Sequence, residues 1–250
     1  MERKRFLKSL LVGAASTTVL AQACKKDSET VTPSSSSSSS TTTTTSTSTS
    51  SSSSSSSSCA AAPVETEGPY PTKSPSLYVR SDIRDDRTGY TLTVKLVITN
   101  SNKSCVALSG ALVDIWHCDK DGNYSEYGGS GSQATDYTSV NFLRGRQTSD
   151  SNGLVTFTSI FPGWYTGRAT HIHVHVYNSA GTSLMVTQIA FPEGTGTALA
   201  AVGGYSKGFT GYTYNAQDNV FSDSYATEIA SVTGNTTDGF VLTMNIGTPA

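Results

Sequence analysis

From about residue 90 onward the chain alternates apolar and polar positions. Leu92, Val94, Leu96 and Ile98 alternate with Thr91, Thr93, Lys95 and Thr99. Phe240, Leu242, Met244 and Ile246 alternate with Val241, Thr243 and Asn245. Side chains two apart share one face of a strand, so each run predicts a half-buried β-strand. Residues 111–117, 153–160 and 183–191 read the same way. Turn chemistry lies between them at Asp121-Gly122, Ser151-Asn152-Gly153, Pro162-Gly163 and Ala180-Gly181. Only Thr197 to Val202 reads as helix, and that stretch is short. The pattern predicts an all-β, antiparallel β-sandwich with long Gly- and Tyr-rich loops and little helix.

One strand has an unusual outer face. In RATHIHVHVY, Arg168 to Tyr177, the residues Ile172, Val174 and Val176 point to one side, and His171, His173 and His175 to the other. The chain holds four histidines in all, so three of them share this face. The opposite face is apolar and packs on the core, which leaves solvent, a polar cavity or a site for the imidazoles.

The N-terminus carries a different signal. Arg3, Lys4, Arg5 and Lys8 precede an apolar run from Leu10 to Leu20, and small residues lead to Cys24. Residues 1–23 are expected to be an export signal, too short for a comfortable membrane span. Ala-Gln-Ala-Cys24 is similar to a lipobox, which predicts a lipid anchor at Cys24, although Ala21 stands where leucine is usual. The Arg3-Lys4-Arg5 stretch also resembles a weakened twin-arginine signal. Residues 34–58 are serine and threonine only and offer no apolar surface against the entropy of ordering, so 24–59 is read as a disordered tether. The expected location is extracytoplasmic, lipid-anchored to a bacterial membrane, with plain secretion as the alternative.

Residues 60–250 remain as one domain with ample length for a core. Removing 1–23 takes away four positive charges and one negative, so the net charge moves from −2 to −5. No basic stripe is left, which argues against nucleic acid as a partner. If Cys24 carries lipid, Cys59, Cys105 and Cys118 allow one disulfide and one odd thiol, with the pairing open.

His171 and His173 can reach one metal ion from neighbouring pleats. A cupin-like site would need a nearby glutamate and a later histidine, and no histidine follows His175. A copper–zinc dismutase needs more imidazoles than this chain owns. The remaining ligands must then be something else, and among oxygen donors phenolate favours Fe(III). Of the twelve tyrosines, Tyr124 in CDKDGNYSEY and Tyr165 in FPGWYTGR are the suggestive ones.

The segments TEGPYP (66–71), VDIWHCDKDGNYS (113–125), FLRGRQTSDSNGLVTFTSIFPGWYTGRATHIHVHV (142–176) and VTQIAF (186–191) together resemble the intradiol ring-cleavage dioxygenases. The likeness spans roughly residues 63 to 192. The resemblance implies one Fe(III) per chain, held by Tyr124, Tyr165, His171 and His173. It also implies roles for Arg168, which would stabilise negative charge developing on the substrate ring, and Gln188, which would orient substrate. Tyr165, with a hydroxide, would accept the protons of a catechol-type substrate, and O2 would open the ring between its hydroxyls to give a cis,cis-muconate-type product. His175 has no part in that pattern. His117 and Asp114 are read as structural, Tyr70 as packing near the pocket mouth, and Gly122 and Gly163 as the turn residues that deliver the two tyrosines. The chain departs from catechol 1,2-dioxygenases in carrying a signal and a Ser/Thr stalk where they carry a helical dimerisation region, and a homo-oligomer is left open. Two competing readings use the same sandwich: a non-catalytic extracytoplasmic binding module, and a zinc site, which tyrosine-rich coordination disfavours.

Overall fold

The computed structural model describes residues 60–129 and 133–250. The signal and tether read at 1–23 and 24–59 lie outside the described residues. Nine strands form two sheets among the described residues. In chain order they are β1 (Thr91–Asn100), β2 (Val106–Ala107), β3 (Leu112–Trp116), β4 (Arg144–Thr148), β5 (Leu154–Ile160), β6 (His171–Tyr177), β7 (Ser183–Ala190), β8 (Ser231–Asn235) and β9 (Gly239–Thr248). One sheet runs β2-β1-β9-β8, with β5 also paired to β1; the other runs β4-β3-β6-β7.

The alternating runs become these strands with the faces the pattern predicts. Leu92, Val94, Leu96 and Ile98 of β1 meet Phe240, Leu242 and Ile246 of β9 in a core shared with Val113, Ile115, Ile172, Val174 and Val176 of the second sheet. Each such fully buried side chain contributes about 1.5–3 kcal/mol. The inter-sheet layer therefore carries the stability, and the outer face of the second sheet can take polar residues.

One pair departs from the antiparallel expectation. β1 and β9 run parallel from Leu92↔Phe240 to Asn100↔Thr248. A period-two pattern determines which face is buried and says nothing of strand direction. Strands β4 and β8 carry no sequence signal, for different reasons. β8, Ser-Val-Thr-Gly-Asn, is a mostly exposed edge. β4 reads Arg-Gly-Arg-Gln-Thr because Ile83 fills the place of a side chain at Gly145, where a Cβ would lie 2.4 Å from Ile83 Cγ2. The flanking arginines are paired elsewhere: Arg146 forks onto Asp114 at 2.5 and 2.7 Å.

The predicted helix is present as α1 (Ala198–Val202), where Thr197 Oγ1 accepts the Ala200 N–H and Gly203 ends the turn at φ +66°. A second short helix, α2 (Tyr225–Glu228), follows a loop-rich stretch. Cys105 is disulfide-bonded, and among the described residues Cys118 is a free, buried thiol.

Candidate metal centre

β6 is buried on both faces. Its apolar side enters the core, and its histidine side is roofed by the loops that carry Gly68, Tyr124, Tyr165 and Phe221. The register explains what the histidines meet. His173 lies opposite Trp116 on β3 and Gln188 on β7. The Trp116 ring stacks on His173 at 4.7 Å with only 2° between the planes, and Gly68 closes over the imidazole, where a Cβ would sit 3.2 Å from His173 Cε1.

Three donor atoms converge. His171 Nε2 is 3.2 Å from His173 Nε2, and Tyr124 Oη is 3.2 Å from the first and 3.4 Å from the second. His171 Nδ1 lies 2.6 Å from the Ala169 carbonyl, which can only accept, so Nδ1 carries the proton and Nε2 presents its lone pair. Tyr124 has a single proton for two imidazole nitrogens. The spacing suits a cation: ligands about 2.0–2.1 Å from a metal stand roughly 2.9–3.4 Å apart for angles between a right angle and tetrahedral. Among the described residues no three of His, Cys, Asp and Glu gather to hold a metal. Any ion here would therefore rest on imidazole and phenol together.

Tyr165 lies beside these three donors. Its ring meets those of Tyr124 and His171 near edge-on, each at 5.7 Å, and Tyr70 stacks on Tyr124 at 4.7 Å. Tyr124 is fully buried, while Tyr165 is partly exposed. Two interlocked loops bring the tyrosines together. Gly122 adopts φ +93° with Trp164 O only 2.3 Å from where a Cβ would be, and Gly163 faces Lys120 O at 2.4 Å. Gly163 is thus required for close approach of the loops rather than for a left-handed turn. Gln133, which carries no sequence signal, holds the Tyr124 backbone at both ends: its Oε1 accepts the Tyr124 N–H at 2.7 Å and its Nε2 donates to Tyr124 O at 2.8 Å.

Burial raises the Tyr124 hydroxyl well above its ordinary value, with Cys118 and Tyr165 adding to the effect and Arg168 opposing it. Burial likewise raises Tyr165, against the pull of Arg168. Both imidazoles are pushed well below the usual histidine range, His171 by burial and Arg168, and His173 by burial and His171. The protein alone thus presents neutral histidines, ready to ligate, and phenols that need a strong positive charge to ionise.

Arg168 and Gln188 stand beside the cluster. Arg168 Nη1 is 3.5 Å from His171 Nε2, and Nη2 donates to Gln188 Oε1 at 2.7 Å. Gln188 Nε2 donates to Thr66 O at 2.8 Å, so both ends of its amide are occupied and it holds Arg168 in place. His175 belongs to a separate group, with Nδ1 3.0 Å from Glu67 Oε1 and Nε2 2.7 Å from Ser183 Oγ. His117 is buried against Ser159 Oγ at 2.7 Å and pushed down to about 4 by burial, in keeping with a structural part. A separate cleft of about 320 Å³, lined by Leu199, Phe209 and Tyr214, contains none of these groups.

With this geometry in place, the likeness to known proteins is specific. A family model described as Dioxygenase matches residues 67–202. An intradiol ring-cleavage dioxygenase from Tetranychus urticae is 30% identical and superposes with a TM-score of 0.67 over 76% of this chain and 96% of that one. The dioxygenase domain of a dioxygenase–carbohydrate-binding protein fusion from Streptomyces sp. SirexAA-E shares the fold at 24% identity, with a TM-score of 0.53 over 75% of this chain and 97% of that one. Chlorocatechol 1,2-dioxygenase from Rhodococcus opacus is 28% identical over 138 residues, which are 48% of this chain and 49% of that protein. The chain belongs to the intradiol ring-cleavage dioxygenase family. It spans about half the length of the curated relative it matches.

Proposed function

We propose that this domain is an Fe(III)-dependent intradiol dioxygenase that opens catechol-type rings between the two hydroxyl-bearing carbons with O2, giving cis,cis-muconate-type diacids. The observation that carries this reading is the convergence of Tyr124 Oη, His171 Nε2 and His173 Nε2 within 3.2–3.4 Å, with Tyr165 alongside. Ferric iron bound there would supply Lewis acidity toward a catecholate and the redox chemistry that makes its ring reactive to O2. The chain's own residues do the rest. Tyr165, the more exposed of the two phenols, would be ionised by the ferric charge and, as phenolate, would take a proton from the entering catechol at Oη. Arg168 directs Nη1 toward the cluster and stabilises negative charge there, inside a site where Trp116, Tyr70 and the 66–70 segment exclude water. Gln188 holds the guanidinium at its working angle.

The iron-loaded protein is expected to be red-brown from phenolate-to-iron charge transfer, to change colour with catechol under anaerobic conditions, and to consume one O2 per ring when air is admitted. Tyr165→Phe is expected to move the band and slow turnover sharply. A colourless protein with full iron occupancy would overturn the ligand set. Colour and catechol binding without O2 uptake across a panel of catechols would make this a binding module on the same fold.

We propose further that residues 1–23 direct export and that lipid on Cys24 holds the domain off a membrane through the 24–59 tether. Cys24→Ala is then expected to move the protein from the membrane fraction to the soluble one, and continued membrane association would refute the anchor.

A further inference from the structure

The segment after α1 lies beyond the residues matched by the family model, yet it reaches the site. Asp218 is fully buried and its carboxylate is shared among three donors. Arg168 Nε lies 2.9 Å from both oxygens, Oδ2 accepts the Ala169 N–H at 2.7 Å, and Oδ1 accepts the Val220 N–H at 2.9 Å. The same loop sends Tyr212 Oη to accept the Thr170 N–H at 2.9 Å, and places Phe221 against both Arg168 and His171.

We propose that Asp218 is the positioning residue of this site, holding the Arg168 guanidinium and the backbone that orients His171 through one carboxylate. The guanidinium has five N–H donors in a rigid plane. Asp218 takes its Nε edge and Gln188 takes Nη2, so the plane is fixed and Nη1 is left toward the ligand cluster. The bond to Ala169 N–H fixes the residue whose carbonyl receives the His171 Nδ1 proton, and that bond determines which nitrogen faces the cluster. A buried guanidinium also needs a counter-charge, and no other carboxylate lies within ion-pair distance of it among the described residues.

This inference rests on the dioxygenase reading, and the test separates the two. In Asp218→Asn, kcat is expected to fall about 10- to 100-fold, the range found for partners that orient ligands, with a smaller change in KM. In an Arg168→Gln background the same substitution is expected to cost clearly less than in the parent, because only the route through Ala169 and His171 is left; a purely structural role would give the same loss in both backgrounds. The second readout needs no iron. The Arg168 Nε–H cross-peak in a nitrogen–proton spectrum of metal-free protein is expected to exchange slowly with solvent in the parent and at least tenfold faster in Asp218→Asn. If Asp218→Asn does not fold, Asp218→Glu, which keeps the charge and displaces it, carries the same comparison. A parent that consumes no O2 defeats the dioxygenase reading while the exchange measurement still decides the anchoring. An active parent with unchanged kcat and unchanged Nε–H exchange in the variant overturns the inference.

Discussion

Replacing Arg144 by methionine tests how the Tyr124 loop is held. Arg144 is completely buried and its fork joins three segments. Nε donates to Ser125 Oγ at 2.9 Å, Nη2 to Ser125 O at 2.7 Å, and Nη1 to Tyr70 O and Thr72 Oγ1 at 3.0 Å each. Glu126 Oε2 lies 3.2 Å from Nε as the counter-charge. Methionine fills most of the volume but leaves two buried carbonyls without these donors and Glu126 without its cation. Removing one partner of a buried ion pair costs about 3–5 kcal/mol, and the individual hydrogen bonds are already contained in that figure. For a domain of this size that corresponds to a fall of roughly 6–20 °C in Tm. Urea titration of the iron-free domain gives the free energy, and iron affinity should weaken alongside, about 10- to 100-fold, because Ser125 adjoins Tyr124. Adding Glu126→Gln removes the stranded charge, so the double variant should be less destabilised than the two single losses summed. A loss below about 1 kcal/mol for Arg144→Met, or strict additivity in the double variant, would refute the reasoning.

Two further outcomes follow from geometry elsewhere. Gly163→Ala drives a methyl against Lys120 O and Asp119 O, 2.4 and 2.7 Å from the ideal Cβ, and should destabilise by about 1–3 kcal/mol and weaken iron binding; Gly110→Ala, with nothing within 4 Å, should leave iron binding unchanged, and equal iron affinity in the two variants would count against the loop interlock. Glu228 is buried, receives the Ser224 hydroxyl on Oε2 at 2.8 Å, and is pushed up to about 7 by burial. Its folded value exceeds its ordinary 4.5, so its contribution is full below pH 4.5 and is lost as pH rises through about 7. Glu228→Gln should therefore raise Tm at pH 8 relative to the parent and not at pH 5, and parallel Tm–pH curves would exclude the effect.

Periodic strands and dense motifs make part of this molecule legible in its sequence. The paired faces of β1, β6 and β9 follow from alternation, and the grouping of Tyr124, His171 and His173 follows from motif order and the resemblance it supports. What stays hidden lacks local pattern. β4 is built from a glycine beneath Ile83 and two arginines whose partners are far away in sequence. Asp218 sits in AQDNVFSD, and no spacing links it to Arg168 fifty positions earlier. Gln188 reads as a substrate contact in the sequence, but only three-dimensional contacts show its amide occupied at both ends. The parallel run of β1 beside β9 is equally invisible, because alternation does not encode direction.

That parallel pairing bears on how the molecule is made. By the time His173 has left the ribosome, every proposed iron ligand has been synthesised, yet β1 still lacks the neighbour that begins at Gly239. Until then its outer edge offers a row of unpaired peptide groups to any passing strand. A nascent or prematurely terminated chain is therefore both incapable of closing its core and prone to clumping. Synthesis must run through β9, Gly239–Thr248, before this sheet can close.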